Sequence, residues 1–427
     1  MRRVYLVHLI LIFLCGLLAT FLPEIAQVKV GGPINTGDTA WLLTASALVL
    51  LMTPGLSFFY GGMVRKRNII STMMQSLVAM GVISVTWVAV GFSLCFGDSI
   101  GGVIGNPATF FMYRGVGMFT HPDFAPTIPF ALFSLFQLKF AIITPALISG
   151  AFAERVKFSS YLIFMVLFSL FIYAPLAHMT WHPDGILRNW GVLDFAGGTV
   201  VHISAGMAAL AGSIFLGPRK KISHQAEQIP YVILGTGLLW FGWFGFNAGS
   251  SLAANETAIM AFMNTNTASA VAMITWMFLD GFRNKKVSAL GACVGAVVGL
   301  VAITPAAGYV SIGASILIGF ITALISNFAL SLKAKTNIDD TLDVFPCHGL
   351  GGIVGMLLTA VFAKNVGLIY GQTHTFIMHV LALILVMIFA FVGSYALYKI
   401  TSLIRPMRVT EEEELEGLDL SQHGESI

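Results

Sequence analysis

The chain has 427 residues, 57% hydrophobic and only 10% charged, where an ordinary soluble domain carries roughly 25% charged residues. A soluble fold of this size could not hide so much apolar surface, so its solvent must be lipid. The net charge of +3, spread over short loops, argues against a nucleic-acid partner.

The first element is leader-like. Arg2 and Arg3 precede an apolar run from Leu6 to Leu22, the pattern of a secretory signal. Residues 1–27 are read as a signal-like segment, either removed or kept as an extra helix, and either outcome places Gly31–Thr39 outside. Eleven apolar segments follow, at about 39–62, 71–96, 129–152, 158–178, 195–216, 229–250, 257–280, 287–305, 310–332, 343–363 and 374–403. Each is long enough to cross a hydrocarbon core about 30 Å thick. The expected fold is an all-α polytopic membrane protein of about eleven transmembrane helices. Residues 38–404 form its membrane domain, and 405–427 form a polar tail.

Alternate loops differ in charge. One set carries Arg65, Lys66 and Arg67, then Arg155 and Lys157, Arg219 to Lys221, Arg283 with Lys285 and Lys286, and Lys333 with Lys335. The other set holds Arg114, Arg188 and Lys364. The positive-inside rule puts the first set in the cytoplasm, so the first helix enters from outside and the tail ends inside. The four cysteines sit in apolar stretches, without a disulfide framework or zinc spacing. The 44 glycines predict close helix–helix packing.

Charge inside the segments is scarce, and the exceptions form a pattern. The fifth segment opens Asp194-Phe-Ala-Gly-Gly-Thr-Val-Val-His202-Ile-Ser-Ala-Gly206, and the tenth opens Asp343-Val-Phe-Pro-Cys-His348-Gly-Leu-Gly351-Gly352. Each opens with an aspartate, bears one histidine and continues His-x-x-small-Gly. Five segments separate them, so they run in opposite directions. That points to an inverted repeat of helices 1–5 and 6–10 around a site near the midplane, although the Asp-to-His spacing differs. An intramembrane histidine is costly and normally lines a cavity or meets a polar partner. Two on matched helices point to imidazoles facing one another across a narrow pore, where one donates, the other accepts, and a proton can pass.

Four segments carry a family resemblance: Asp194–Gly206, Phe241-Gly-Trp-Phe-Gly-Phe246-Asn-Ala-Gly-Ser250, Thr53-Pro-Gly-Leu-Ser-Phe-Phe-Tyr-Gly-Gly62, and Asp339-Asp-Thr-Leu-Asp-Val-Phe345. They are similar to the signature segments of the Amt branch of the Amt/Rh ammonium transporters, bacterial and archaeal type, over about residues 38–427. The resemblance implies a homotrimer in the cytoplasmic membrane with a pore in each subunit, and ammonium or ammonia as substrate. It implies that His202 and His348 are twin pore histidines, that Phe140 and Phe246 are the stacked rings closing the pore, and that Phe136, Trp181 and Ser250 recruit ammonium at the outer mouth. Aromatic faces attract a cation, Trp most strongly, and a hydroxyl accepts one ammonium hydrogen bond. Asp194 matches the buried aspartate of the fifth helix, either as a helix cap or as a direct stabiliser of the cation. Asp343 is read as its mainly structural equivalent in the second half.

Moving a bare cation into a low-dielectric pore costs on the order of 20 kcal/mol by the Born estimate, so ammonium is expected to lose its proton near the vestibule and ammonia to pass the histidines. The resemblance also implies that the tail, ending Gly417-Leu-Asp-Leu-Ser-Gln-His-Gly424-Glu, packs under a neighbouring subunit and helps dock a trimeric PII signalling protein. The rival readings are an ammonium sensor without a fused output domain and a passive ammonia gas channel. No cofactor motif and no nucleophile–base–orienter set stands in the polar segments, so an enzyme is not expected. One residue departs from the family pattern: Lys139, between Phe136 and Phe140, where a small or apolar residue is usual. A lysine that deep is expected to be paired or to snorkel away from the pore.

Overall fold

A computed structural model describes residues 2–23, 28–222 and 226–427. Helix α1 (Arg2–Phe21) contains the leader-like run, and the expected cleavage region at 24–27 lies outside the described residues. The bundle then comprises α2 (Thr36–Met63), α3 (Lys66–Phe96), α4 (Phe130–Phe152), α5 (Phe158–Asn189), α6 (Gly198–Leu216), α7 (Ile229–Gly249), α8 (Glu256–Asn284), α9 (Ala289–Ile303), α10 (Ile312–Lys333), α11 (Phe345–Phe362) and α12 (Thr373–Ile404).

Nine of these helices are long and apolar enough to cross a membrane, among the described residues. The two expected spans outside that set differ for separate reasons. Helix α8 has 29 residues but carries Asn264, Thr265, Asn266, Thr267 and Ser269, which lower its hydropathy. Helix α9 is strongly apolar but has only 15 residues, about 22 Å at 1.5 Å per residue.

Polar residues set several helix starts. The side chains of Asn35, Asn255, Ser288 and Ser311 accept from backbone N–H groups in the first turns of α2, α8, α9 and α10. Each satisfies a donor that the helix itself cannot. Small residues then let the helices close on one another. A Cβ on Gly235 of α7 would strike the backbone nitrogen of Phe59 in α2, so these two helices can pack only with glycine there.

Helices α6 and α11 differ from the rest. Each is preceded by irregular chain and opens with a widened π turn, Gly198–Ile203 and Phe345–Gly349, which contains the histidine. Helix α6 packs on the opening turn of α11, and α11 packs on the opening turn of α6. Their backbones meet where a Cβ on Gly206 would overlap Gly349.

The expectation that Asp343 matches Asp194 does not hold in the geometry. Asp194 sits eight residues before His202, and its carboxylate accepts from Gly198 and Thr199, four and five residues on. In the second half Asp340 sits eight residues before His348 and accepts from Val344 and Phe345, again four and five residues on. Asp343 instead takes a left-handed backbone, φ 58°, a conformation Asp tolerates better than most residues. Its carboxylate pairs with Lys333. The left-handed turn at Asp343 carries its carboxylate to Lys333 and leaves the cap to Asp340. With Asp340 in that role, the two Asp-to-His spacings agree.

The tail binds the start of α3 and the α6–α7 loop of its own chain. The Asp419 carboxylate accepts from the backbone of Ile70 and Ser71 at 3.1 and 2.8 Å, and the Leu418 N–H donates to Asn68. The short helix α13 (Glu411–Glu416) starts with a capping box of Thr410 and Glu413, and its Glu414 accepts from Lys220 and Arg408. Beneath the tail lies a buried ion network. Arg65 and Arg219 both meet Glu154 at 2.9 Å, and Arg219 meets Asp339 at 2.8 Å. Burial alone would raise the Asp339 carboxyl, but hydrogen bonds from Arg219 and the charge of Arg155 hold it down at about 2.

Candidate functional site: a ladder of rings through the bundle

The side chains of α4, α5, α6, α7 and α11 converge on a line of rings. Trp181 meets Phe140 edge to face with centroids 5.9 Å apart, and Phe140 stacks on Phe246 at 4.2 Å and 29°. Phe246 lies 6.1 Å from His202, whose ring lies 5.4 Å from that of His348. At 4.2 Å between centroids, the two phenyl faces leave no space for a molecule between them. The widened turns matter here, because the extra residue in each turn aims the imidazole inward rather than along the usual helical stripe.

The two imidazoles meet Nδ1 to Nδ1 at 3.3 Å. One nitrogen must donate and the other accept, so a single proton is shared at that contact. Both rings are buried, and His202 Nε2 has no partner among the described residues. Trp243 lies nearly parallel to the His202 ring at 5.4 Å and is fixed from behind by a hydrogen bond from its Nε1 to Thr304. The lumen beside the histidines is about 10 Å³ and is lined by Leu56, Ile143, Val201, Leu239 and Trp243 besides the imidazoles. That is about the least space able to hold one water-sized molecule.

On the side away from the tail the ladder ends in a vestibule of about 530 Å³, lined by Phe140, Trp181, Asp194, Ser250 and Tyr309 among others. The Trp181 indole donates to the Asp194 carbonyl at 3.2 Å, which fixes its ring. The Ser250 hydroxyl donates to the Phe246 carbonyl at 2.9 Å, leaving its lone pairs to accept. Phe136 is not on the vestibule wall. It is fully buried behind Phe140, with centroids 5.0 Å apart.

Asp194 is 6% exposed. Its oxygens accept from the N–H groups of Gly197, Gly198 and Thr199 at 2.6–2.8 Å and from the Thr199 hydroxyl. The carboxylate is therefore occupied as a cap on α6, and its charge reaches the vestibule only as a field. Gly197, at φ 117°, makes the turn that brings these donors together.

Lys139 lines neither the lumen nor the vestibule. It is four residues on from Leu135, which is 39% exposed, but is itself buried, at 9%. Among the described residues it has no ion-pair partner.

The sequence reading did not single out Asp340, Trp243 or Thr199. The eight-residue Asp-to-His spacing would have found Asp340. Nothing in the sequence alone marked the other two, which are defined by contacts across helices.

Residues 40–427 match the model of the Ammonium Transporter Family. The ammonium transporter of Aquifex aeolicus is 46% identical over 399 residues, covering 92% of this chain and 93% of that protein. Among solved structures, Candida albicans Mep2 superposes with a TM-score of 0.84 at 35% identity, covering 92% of this chain and 90% of that one. A protein described as a sensor Amt protein does so with a TM-score of 0.84 at 30% identity, covering 91% and 98%. This chain therefore belongs to the ammonium transporter family.

Proposed function

We propose that this protein moves ammonium nitrogen across the cytoplasmic membrane by admitting ammonium at the vestibule, separating its proton there, conducting ammonia past His202 and His348 and passing the proton along the same imidazole pair, so that one charge crosses with each ammonia. The observation that carries this reading is the pair of imidazoles 3.3 Å apart in a lumen of about 10 Å³ behind a closed phenyl stack.

Bringing a small ion into a medium of low dielectric costs on the order of 20 kcal/mol by the Born estimate. Isoleucine, leucine and phenylalanine walls offer nothing to offset that. Ammonia is neutral and loses only hydrogen bonds, which an imidazole nitrogen can replace. Potassium has no proton to give up, so it is rejected without a size filter. Trp181 and Phe140 offer ring faces to the incoming cation, and the free lone pairs of Ser250 accept one of its hydrogens. The Phe140–Phe246 stack must part for each molecule. Phe136 acts by supporting Phe140 from behind.

The matching Asp-to-His spacings in α6 and α11 support an inverted repeat about this pair. The loop charges support a cytoplasmic tail. The tail's grip on the start of α3 and on Lys220 would let a PII-type protein that binds it reach the bundle, and a homotrimer would repeat that surface three times.

The test is electrical recording from purified protein in liposomes with ammonium, methylammonium and potassium in turn. Saturable ammonium-evoked transport with no potassium current is expected. Comparable potassium current would refute the mechanism. The likeness to a sensor Amt protein favours one rival, a receptor that binds ammonium without turnover, and the same recording would reveal it as saturable binding with no flux.

A further inference from the structure

On the tail side of His348 lies a second cavity, of about 280 Å³, whose lining includes Trp276, Asp280, Gly291, Asp343, Cys347 and His348. Its charges are unequally matched. Asp343 is neutralised by Lys333. Asp280 has no hydrogen-bond or ion-pair partner among the described residues. The nearby Arg283 guanidinium turns instead to Asn327 at 2.5 Å and Ser331 at 3.2 Å on α10.

The carboxylate of Asp280 rests where a side chain at position 291 would stand, since a Cβ on Gly291 would overlap its Oδ2. Glycine at the start of α9 thus makes room for the acid. One turn up α8, Trp276 is 3% exposed and lines the same space. His348 is also 3% exposed; its Nδ1 is taken by His202, and its Nε2 has no partner among the described residues. A carboxylate with no ion pair or hydrogen bond among the described residues, an indole and an unpartnered imidazole therefore line one cavity directly below the histidine pair.

We propose that this cavity is a second ammonium site, which loads and releases the cation on the tail side. The Asp280 carboxylate accepts its N–H groups and the Trp276 ring supplies a cation–π face. The vestibule on the opposite side recruits with an indole and a hydroxyl, its aspartate being fully capped. The inner cavity recruits with an indole and an open carboxylate, so it holds the cation more tightly. This inference rests on the transport reading above.

The experiment measures half-saturating ammonium separately from each side of liposomes, with sidedness fixed by protease access to a tag after Ile427. Asp280→Asn should raise the tail-side value on the order of tenfold, and Trp276→Leu should raise it several-fold. Asp280→Glu, which keeps the charge, should stay near wild type. The value from the opposite side should not follow these changes. Wild-type half-saturation from the tail side in Trp276→Leu, or in an assembled Asp280→Asn, would overturn the proposal. If the wild-type protein carries no flux from either side, the transport reading fails instead. The cavity is then judged by calorimetry with ammonium chloride on purified protein, where Asp280→Asn should remove one saturable site, and an unchanged titration would overturn the proposal.

Discussion

Helices α6 and α11 use the same parts with different margins. In α6 the cap is Asp194, with three backbone N–H groups and one hydroxyl on its two oxygens. In α11 the cap is Asp340, with two backbone N–H groups and a second acid, Asp343, close by. Burial, chiefly, and the charge of Asp343 push the Asp340 carboxyl up to about 6 against the pull of Lys333 and the two N–H groups. The geometry of a half-helix that presents a histidine is thus repeated, but the charge around its cap is not. The half next to the open vestibule is the more completely satisfied one, and the half next to the tail holds its acid at some cost.

The largest expected effect concerns what the two halves share. His202→Ala and His348→Ala should each abolish or reshape ammonium-evoked current while the protein still assembles. Wild-type current and selectivity in both variants would show that the pair does not line the path.

The next prediction separates the halves. Asp194→Ala strands three buried N–H groups and a hydroxyl, at roughly 1–3 kcal/mol for each buried group left unmade, and should prevent recovery of folded protein. Asp340→Ala strands two and should lower the thermal midpoint while leaving folded protein, as read by tryptophan fluorescence in detergent. Equal losses would break the comparison. The pH dependence follows from the same difference. Because its folded value is raised, Asp340 costs nothing below about pH 4, and its cost grows until pH passes about 6. Asp340→Asn should flatten that part of the stability profile.

These two caps also show how far the sequence could be read. The histidines stood out because a titratable ring is rare among apolar residues, and the spans because lipid demands long apolar runs. Asp194 was legible because it sits alone. Asp340 was easily passed over, since Asp339, Asp340 and Asp343 crowd five residues of sequence with Thr341 and Leu342 between them. Only the backbone shows that the first meets Arg219, the second caps the helix and the third turns left-handed toward Lys333. Phe136 illustrates the same limit: its helical spacing placed it beside Phe140, and only packing shows that it lies behind that ring rather than at the mouth.

Smaller effects sharpen the picture of the outer mouth. A cation–π contact is worth about 0.5–2 kcal/mol, so Trp181→Leu should raise half-saturating ammonium several-fold to ~30-fold. An unchanged concentration dependence would remove Trp181 from recruitment. The smallest effect is expected at Lys139, which is buried but lines neither the lumen nor the vestibule. Lys139→Met should leave the current nearly as it is, and a strongly raised current would instead identify the lysine as an electrostatic brake on the pore.

The measurement that bears most directly on the central claim, that the lumen passes a neutral molecule, compares ammonium with potassium in the same liposomes at matched gradients. The account predicts saturable ammonium-evoked transport that depends on both histidines, with potassium carrying no current at any concentration. Potassium current of comparable size through the intact protein would contradict it.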